Sequence, residues 1–210
     1  MTGRGEAGGG ISLRMRTLAA VLLMVAVPGG LGAQVRFGAR AGVTWSSTLV
    51  EDEIQPGEPI TLKAGLAPTL VLGASLPFSP HNRVGLELAL ARSDAEVDDA
   101  GATSTLTRLT TATITAGFDG RVADSLRWRA AFGALKYLPG EETGVFREGG
   151  PWRWVAGAGL DWSRPLSDRL SLLAAVRYDY HRFTTDALRE TGFANPEAVH
   201  RVAVSVGVGL

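Results

Sequence analysis

The stretch that decides the fold is PWRWVAGAGLDWSRP, residues 151–165. Its side chains alternate with a period of two, which is the period of a β-strand. One parity carries Trp152, Trp154, Ala156, Ala158, Leu160 and Trp162, and the other carries Arg153, Val155, Gly157, Gly159 and Asp161. Glycine is depleted from strands because it loses the most backbone entropy there, so a face with several glycines needs a spatial reason. A narrow barrel lumen supplies that reason, and it places the tryptophans outside.

Seven further segments after residue 34 show the same alternation. They are residues 35–46, 61–76, 83–91, 106–118, 125–135, 169–181 and 200–210. A tilted strand crosses a bilayer in about 9–11 residues, and each segment reaches or exceeds that length. The sequence therefore predicts eight strands long enough to span a membrane.

The connections between these segments alternate in length. They are residues 47–60, 77–82, 94–104, 119–124, 139–150, 163–168 and 184–198, which run long, short, long, short, long, short, long. Outer-membrane barrels have short periplasmic turns, longer extracellular loops and an even number of strands. The pattern predicts an all-β, eight-stranded antiparallel up-and-down transmembrane β-barrel with both ends of the mature chain in the periplasm.

Aromatic residues mark the two ends of the predicted strands on the apolar parity. At the long-loop ends these are Trp45, Trp152, Trp154, Tyr178 and Tyr180, and at the short-turn ends they are Phe37, Phe118, Trp128 and Trp162. Two aromatic girdles that frame an apolar band are the expected lipid-facing surface of such a barrel. Outer-membrane lipids are therefore the predicted surroundings of this face.

The N-terminal segment has the composition of a secretory signal peptide. Arg4, Arg14 and Arg16 precede an apolar run from Thr17 to Val27, and small residues follow at positions 32 and 33. The apolar run is shorter than the roughly 20 residues that a membrane-spanning helix needs. We expect a cleaved signal peptide over residues 1–33 and a barrel domain over residues 34–210.

The composition excludes several classes of function. The 210 residues include no cysteine, and the formal net charge is zero. Disulfides and thiolate metal sites are therefore excluded, and a nucleic-acid partner is not expected. The sequence contains no recognisable metal-ligand spacing or phosphate-binding glycine loop, so no cofactor is predicted.

The signal segment, the eight amphipathic strands and the alternating loops together resemble the small outer-membrane barrels. The OmpA transmembrane domain and the OmpX and OmpW groups are the nearest types, and the resemblance covers residues 34–210. It implies fold and location rather than a particular activity. The last segment, with Val202, Val204, Val206, Val208 and Leu210 on one parity, resembles the signal read by the barrel-insertion machinery, although that family favours a terminal aromatic where this chain has Leu210.

The inward parity collects charged residues into a predicted lumen network. Its basic members are Arg36, Arg40, Lys63, Arg127, Arg129, Arg153, Arg177 and Arg201, and its acidic members are Glu87, Asp161 and Asp179. Charges in a barrel interior must be paired or hydrated, because desolvating an unpaired ion costs several kcal/mol. We expect each acid to contact at least one arginine, with Glu87 as the central partner of a plug of salt bridges.

Three function classes follow from this reading. The first is a structural or surface-interaction barrel without turnover. The second is a narrow porin-like channel or carrier for small anionic or apolar solutes, drawing on the charged lumen. The third is a lipid-modifying enzyme, for which Ser46, Ser47, Asp179, His181, Asp186 and His200 are the available rim residues. No motif supports the third class, and the oligomeric state is not indicated.

Overall fold

The computed structural model describes residues 35–55, 58–99, 102–190 and 196–210. The predicted signal peptide and its cleavage point at Gln34 lie outside the described residues. The strands are β1 (Arg36–Ser46), β2 (Thr48–Gln55), β3 (Glu58–Ala64), β4 (Ala67–Pro77), β5 (Asn82–Asp99), β6 (Ala102–Arg121), β7 (Leu126–Pro139), β8 (Trp152–Pro165), β9 (Ser171–Phe183) and β10 (Glu197–Gly209). A 3₁₀ turn (Gly144–Phe146) and a short helix α1 (Asp186–Glu190) lie in the connections after β7 and β9.

Eight of these strands, β1 and β4 to β10, form a closed antiparallel barrel. Each pairs with its neighbours along the chain, and β1 closes the wall against β10, with Ala41 opposite Val206. The predicted eight-stranded up-and-down barrel is confirmed. Phe37 and Leu210 exchange backbone hydrogen bonds of 3.2 and 2.9 Å, so both ends of the barrel domain lie at the short-turn end.

The wall extends beyond the barrel at the long-loop end. The hairpin of β2 and β3 pairs with the upper part of β5, and β5 and β6 continue their own ladder to Asp99 and Ala102. At a rise of about 3.3 Å per residue, the 20 residues of β6 are longer than a bilayer crossing requires. Two predicted long loops, residues 47–60 and 94–104, are therefore mostly strand. Ladder pairing with neighbouring strands, rather than β-propensity, extends residues 94–104 above the apolar band.

The segment at residues 61–76 is not the single strand that its periodicity predicts. Pairing with β5 is interrupted between Ala64, the last residue of β3, which lies opposite Ala95, and Thr69 near the start of β4, which lies opposite Ala91. Across this break the facing of the even positions reverses, so that Leu62 is buried whereas Leu66 is 63% exposed. The break separates the barrel wall from its extension.

Within the barrel, the apolar parity faces outward as predicted. On β8, Trp152 and Trp154 are 60% and 72% exposed, whereas Val155, the residue after Trp154, is fully buried. Leu72 on β4 and Leu86 on β5 are also about half exposed. A soluble monomer rarely exposes apolar surface on this scale, which identifies the outer face as one that meets a non-aqueous environment.

Two inward glycines show why the lumen face is rich in this residue. A Cβ atom at Gly117 would collide with the Arg129 guanidinium, and one at Gly159 would lie 2.9 Å from Arg177 Cδ and closer still to the backbone of β9. The glycines thus leave room for arginine side chains to cross a narrow interior.

The long-loop end of the barrel is filled by an apolar plug. Its members are Leu49, Leu62, Ala95, Leu109, Leu135, Tyr137, Phe146, Val155, Phe183, Leu188 and Val199, all buried. Phe146 comes from the 3₁₀ turn after β7 and Leu188 from α1 after β9, so residues of these two connections fold back into the barrel mouth. Phe183 packs edge-on against Tyr137 and Phe146, at ring-centroid distances of 5.0 and 6.0 Å.

Candidate functional site

Glu87, on β5, lies at the centre of the charged groups in the lumen. Its carboxylate contacts three guanidinium groups: Arg40 on β1, Arg129 on β7 at 3.3 Å and Arg177 on β9 at 3.2 Å. These arginines come from strands spread around the barrel wall. One carboxylate therefore ties several parts of the wall together across the lumen.

Two more carboxylates extend this contact set toward the short-turn end. Asp161 accepts hydrogen bonds from Arg40 Nη1 at 3.1 Å and from Arg177 Nη2 at 2.7 Å. Asp119 accepts one from Arg129 Nη1 at 2.9 Å, in a pair that is almost completely buried. We call the set Arg40, Glu87, Asp119, Arg129, Asp161 and Arg177 the lumen network; it holds three cations and three anions.

Asp119 is absent from the predicted set because the Asp-Gly pair at positions 119–120 is typical of a turn, and residues 119–124 are predicted to be one. The structure continues β6 through both residues to Arg121. The alternation of Thr113, Thr115 and Gly117 on the inward parity, carried two residues further, is the signal that locates Asp119 in the lumen.

Asp179 and Arg201 lie in the lumen above the network without pairing. They are direct neighbours in the register of β9 and β10, yet Arg201 reaches across the barrel to Thr111 Oγ1 at 3.0 Å and Thr113 Oγ1 at 3.4 Å. In the described part of the chain no cationic side chain lies within 4.0 Å of the Asp179 carboxylate. The expectation that every acid contacts an arginine is therefore wrong for Asp179, because hydroxyls on β6 take the guanidinium of its nearest candidate.

Besides Asp179 and Arg201, four other predicted members lie outside the network. Lys63 is exposed, since the break before β4 reverses the facing of β3, and Arg36 is exposed at the start of β1. Arg127 lies at the short-turn mouth and donates to the carbonyls of His81 and Asp119, at 2.8 and 3.3 Å. Arg153 lies at the opposite mouth and donates to the Thr184 and Trp152 carbonyls.

Because of these placements, the middle of the lumen holds equal numbers of basic and acidic side chains instead of the expected excess of basic ones. In the middle of the lumen four arginines, Arg40, Arg129, Arg177 and Arg201, face four acids, Glu87, Asp119, Asp161 and Asp179. The formal charge of this group is zero, so the middle of the lumen does not present the net positive ring that would select anions.

A small cavity lies between the lumen network and the apolar plug. Its volume is about 50 Å³, and Arg40, Glu87, Arg177, Asp179 and Arg201 line it together with threonine hydroxyls of the wall. Such a space accommodates a few water molecules at most. A small solute has no room in it without displacing side chains.

The nine girdle aromatics all lie on the outer face. Trp45, Trp152, Trp154 and Tyr178 are exposed and Tyr180 is half-buried at the long-loop end, and Phe37, Phe118 and Trp128 are exposed and Trp162 half-buried at the other. Phe132, an aromatic near mid-wall, stacks on Trp154 with ring centroids 5.5 Å apart.

The rim residues considered for acyl transfer do not form a Ser–His–acid relay. His181 is buried and its Nε2 hydrogen bonds to the Tyr137 hydroxyl at 2.6 Å. His200 Nδ1 hydrogen bonds to the Tyr178 hydroxyl at 2.6 Å, while Ser47 Oγ accepts from the His200 backbone N–H rather than from its ring. Ser46 lies at the end of β1 opposite Arg201, and Asp186 pairs with Arg189.

The described ranges also contain no cluster of three or more His, Asp or Glu side chains able to hold a metal ion. Nor does any helix within those ranges have the length and apolar character to cross a membrane.

Comparison with known proteins supports the fold. No protein-family profile and no curated protein sequence matches the chain. Among solved structures, the chain is similar to Neisserial surface protein A, with a TM-score of 0.51, 13% identity, and coverage of 86% of this chain and 99% of that one. It is also similar to the outer membrane protein AlkL in lipid bilayers, with a TM-score of 0.50, 13% identity, and coverage of 87% and 92%. The chain thus has the fold of the small eight-stranded outer-membrane β-barrels.

Proposed function

We propose that the protein is an integral outer-membrane barrel with a closed lumen and a structural or surface-interaction role, without enzymatic turnover. The observation that carries the proposal is a closed wall whose outer face is an apolar band between two aromatic girdles. Such a face is stable in hydrocarbon, because closure of the wall pairs the backbone polar groups of adjacent strands with one another.

The contents of the lumen favour the structural role over conduction. Ions entering from the long-loop end meet the apolar plug, and those entering from the other end meet the lumen network. An eight-stranded interior is just wide enough for side chains to fill it. The alternative of a narrow channel for small solutes requires both obstacles to move.

Fractionation and bilayer recordings test the proposal. We expect the mature chain, beginning at Gln34 after removal of the signal peptide, to fractionate with the outer membrane and to require detergent for extraction. We expect no steady conductance when the refolded barrel is inserted into planar bilayers. Recovery as a soluble periplasmic monomer would refute the membrane location, and ion-selective conductance would favour the channel. Mass spectrometry of lipid A from cells with and without the protein tests the enzyme alternative.

The orientation is proposed from loop length: the apolar plug end faces the exterior and the chain ends face the periplasm. Because the chain has no cysteine, single cysteines report on sidedness without background. A cysteine replacing exposed Glu148, in the connection after β7, should react with an impermeant maleimide on intact cells. Its matched control, Ala123→Cys in the turn after β6, should react only after the outer membrane is opened. The reverse pattern would invert the orientation.

A further inference from the structure

A furrow marks the outer wall beside the break, across the start of β4 and the neighbouring parts of β1, β5 and β6. Between Thr69 and Ala64 the ladder with β5 is open, and only the Gly65 backbone N–H, which donates to the Asp94 carbonyl at 3.0 Å, bridges the gap. The furrow has a volume of about 460 Å³. Its outward side chains are Ala41, Pro68, Leu70, Leu90, Arg92 and Thr110.

Most of the furrow is shaped for hydrocarbon. Ala41 and Pro68 are small and leave the space open, while Leu70 and Leu90 flank it and are 49% and 42% exposed. The furrow is open along the outer face, and its lining is predominantly apolar. An acyl chain lying along the wall fills this space without losing contact with neighbouring lipid.

The positively charged side chain of Arg92 lies at the polar end of the furrow. Arg92 follows Leu90 on the outward parity of β5 and lies directly opposite Thr110 on β6. Within the described ranges no carboxylate is within 4.0 Å of its guanidinium, and the next outward carboxylate along the strand, Asp94, has Arg108 at 4.0 Å. Arg92 therefore lies at the boundary between the apolar band and the polar extension with its donors unused.

We propose that the furrow binds one phosphate-bearing membrane lipid, with an acyl chain against Leu70 and Leu90 and the phosphate on the Arg92 guanidinium and the Thr110 hydroxyl. The inference rests on the proposed membrane location. A guanidinium matches the geometry of phosphate oxygens, and charge-assisted hydrogen bonds of this kind are among the strongest that proteins make. An arginine at the end of an apolar band also reaches the headgroup level while its stem stays in hydrocarbon.

Native mass spectrometry of the barrel in neutral detergent tests the site, with lipid A, phosphatidylglycerol and diacylglycerol as added probes. We expect one phosphate-bearing lipid to be retained and diacylglycerol to be lost. Arg92→Gln should reduce retention about tenfold to a hundredfold, the value of a hydrogen bond to a charged group. Ala41→Phe should also reduce retention, because the phenyl ring occupies the space that the acyl chain would fill.

Matched controls lie elsewhere on the outer face. Arg164→Gln near the short-turn end and Ala158→Phe on β8 change the same residue types away from the furrow and should leave retention unchanged. Binding of lipid A alone or of both phosphate lipids supports the site and distinguishes the source of the phosphate. Equal retention by Arg92→Gln and the parent, tight binding of diacylglycerol, or occupation by a second copy of the chain would overturn it.

The same variants separate this inference from the membrane proposal. All of them should insert into phosphatidylcholine vesicles, as judged by protection from protease. Insertion of the parent without lipid retention would remove the furrow site alone, whereas failure of the parent to insert would remove the proposed membrane location.

Discussion

At the scale of single residues, Glu87 is the buried acid whose loss we expect to destabilise the barrel most. It contacts three arginines whose side chains are mostly withdrawn from solvent. Breaking a buried ion pair from one side usually costs more than the pair contributes, because the remaining charge is left uncompensated. Three guanidinium groups contact this carboxylate, and each has one further acid, Asp161 for Arg40 and Arg177 and Asp119 for Arg129.

Glu87→Gln should lower the free energy of unfolding in vesicles by about 3–5 kcal/mol, less where lumen water solvates the freed arginines. Urea titration of the inserted barrel, followed by tryptophan fluorescence, measures the change. Asp124→Asn is the control, because Asp124 is fully exposed in the turn after β6 and pairs only with Arg121, at 3.3 Å. An unaltered titration for Glu87→Gln would show that the network contributes no stability.

At the scale of elements, the alternation of side chains within each barrel strand indicates which of them face the lumen and which face outward. Alternation on β4 and β8 places large apolar groups outward and small or charged groups inward, and the structure follows it from end to end of the barrel. The rule fails at residues 61–64, where the break at Gly65–Leu66 reverses the facing. Periodicity within one segment cannot show that reversal, since both halves alternate correctly by themselves.

Leu72→Arg should destabilise the inserted barrel by about 2–4 kcal/mol, the cost of an arginine on the lipid face near the bilayer midplane. Leu72 is 46% exposed and pairs with Leu88 in the middle of the wall. Val122→Arg, in an exposed turn, changes the same kind of residue outside the apolar band and should alter stability by no more than about 0.5 kcal/mol. Equal effects of the two substitutions in vesicles would place Leu72 in water rather than lipid.

At the scale of the whole molecule, the closed lumen that we propose has two different barriers. The first is the apolar plug, whose hydrocarbon side chains cannot replace the hydration of an ion, and the second is the lumen network, which fills the interior with paired charge. The plug also joins the connections after β7 and β9 to the barrel wall, through Phe146 and Leu188 respectively.

Phe146→Ala should therefore leave bilayer conductance at its baseline, because the network still crosses the lumen. Combined with Glu87→Gln, it should produce measurable conductance, since both obstacles are then weakened. Glu87→Gln alone is the matched intermediate and should conduct no more than Phe146→Ala alone. Conductance from the Phe146→Ala barrel by itself would show that the plug is the only barrier, and a silent double variant would locate the closure elsewhere in the lumen.

The amino-acid sequence was sufficient to predict the eight strands of the barrel, though not the ten of the whole sheet, together with the facing of the barrel strands, the two girdles and the inward arginines Arg40, Arg129, Arg177 and Arg201. These features are local, because each strand must satisfy lipid on one side and a narrow interior on the other at every second residue. The tertiary structure alone decided which charges pair: Arg40 and Arg177 lie 47 and 90 residues from Glu87 along the chain, and only barrel closure brings them together. It also decided the neutral balance, the plug and the furrow, because these depend on where strands end and on how far side chains reach across a closed wall.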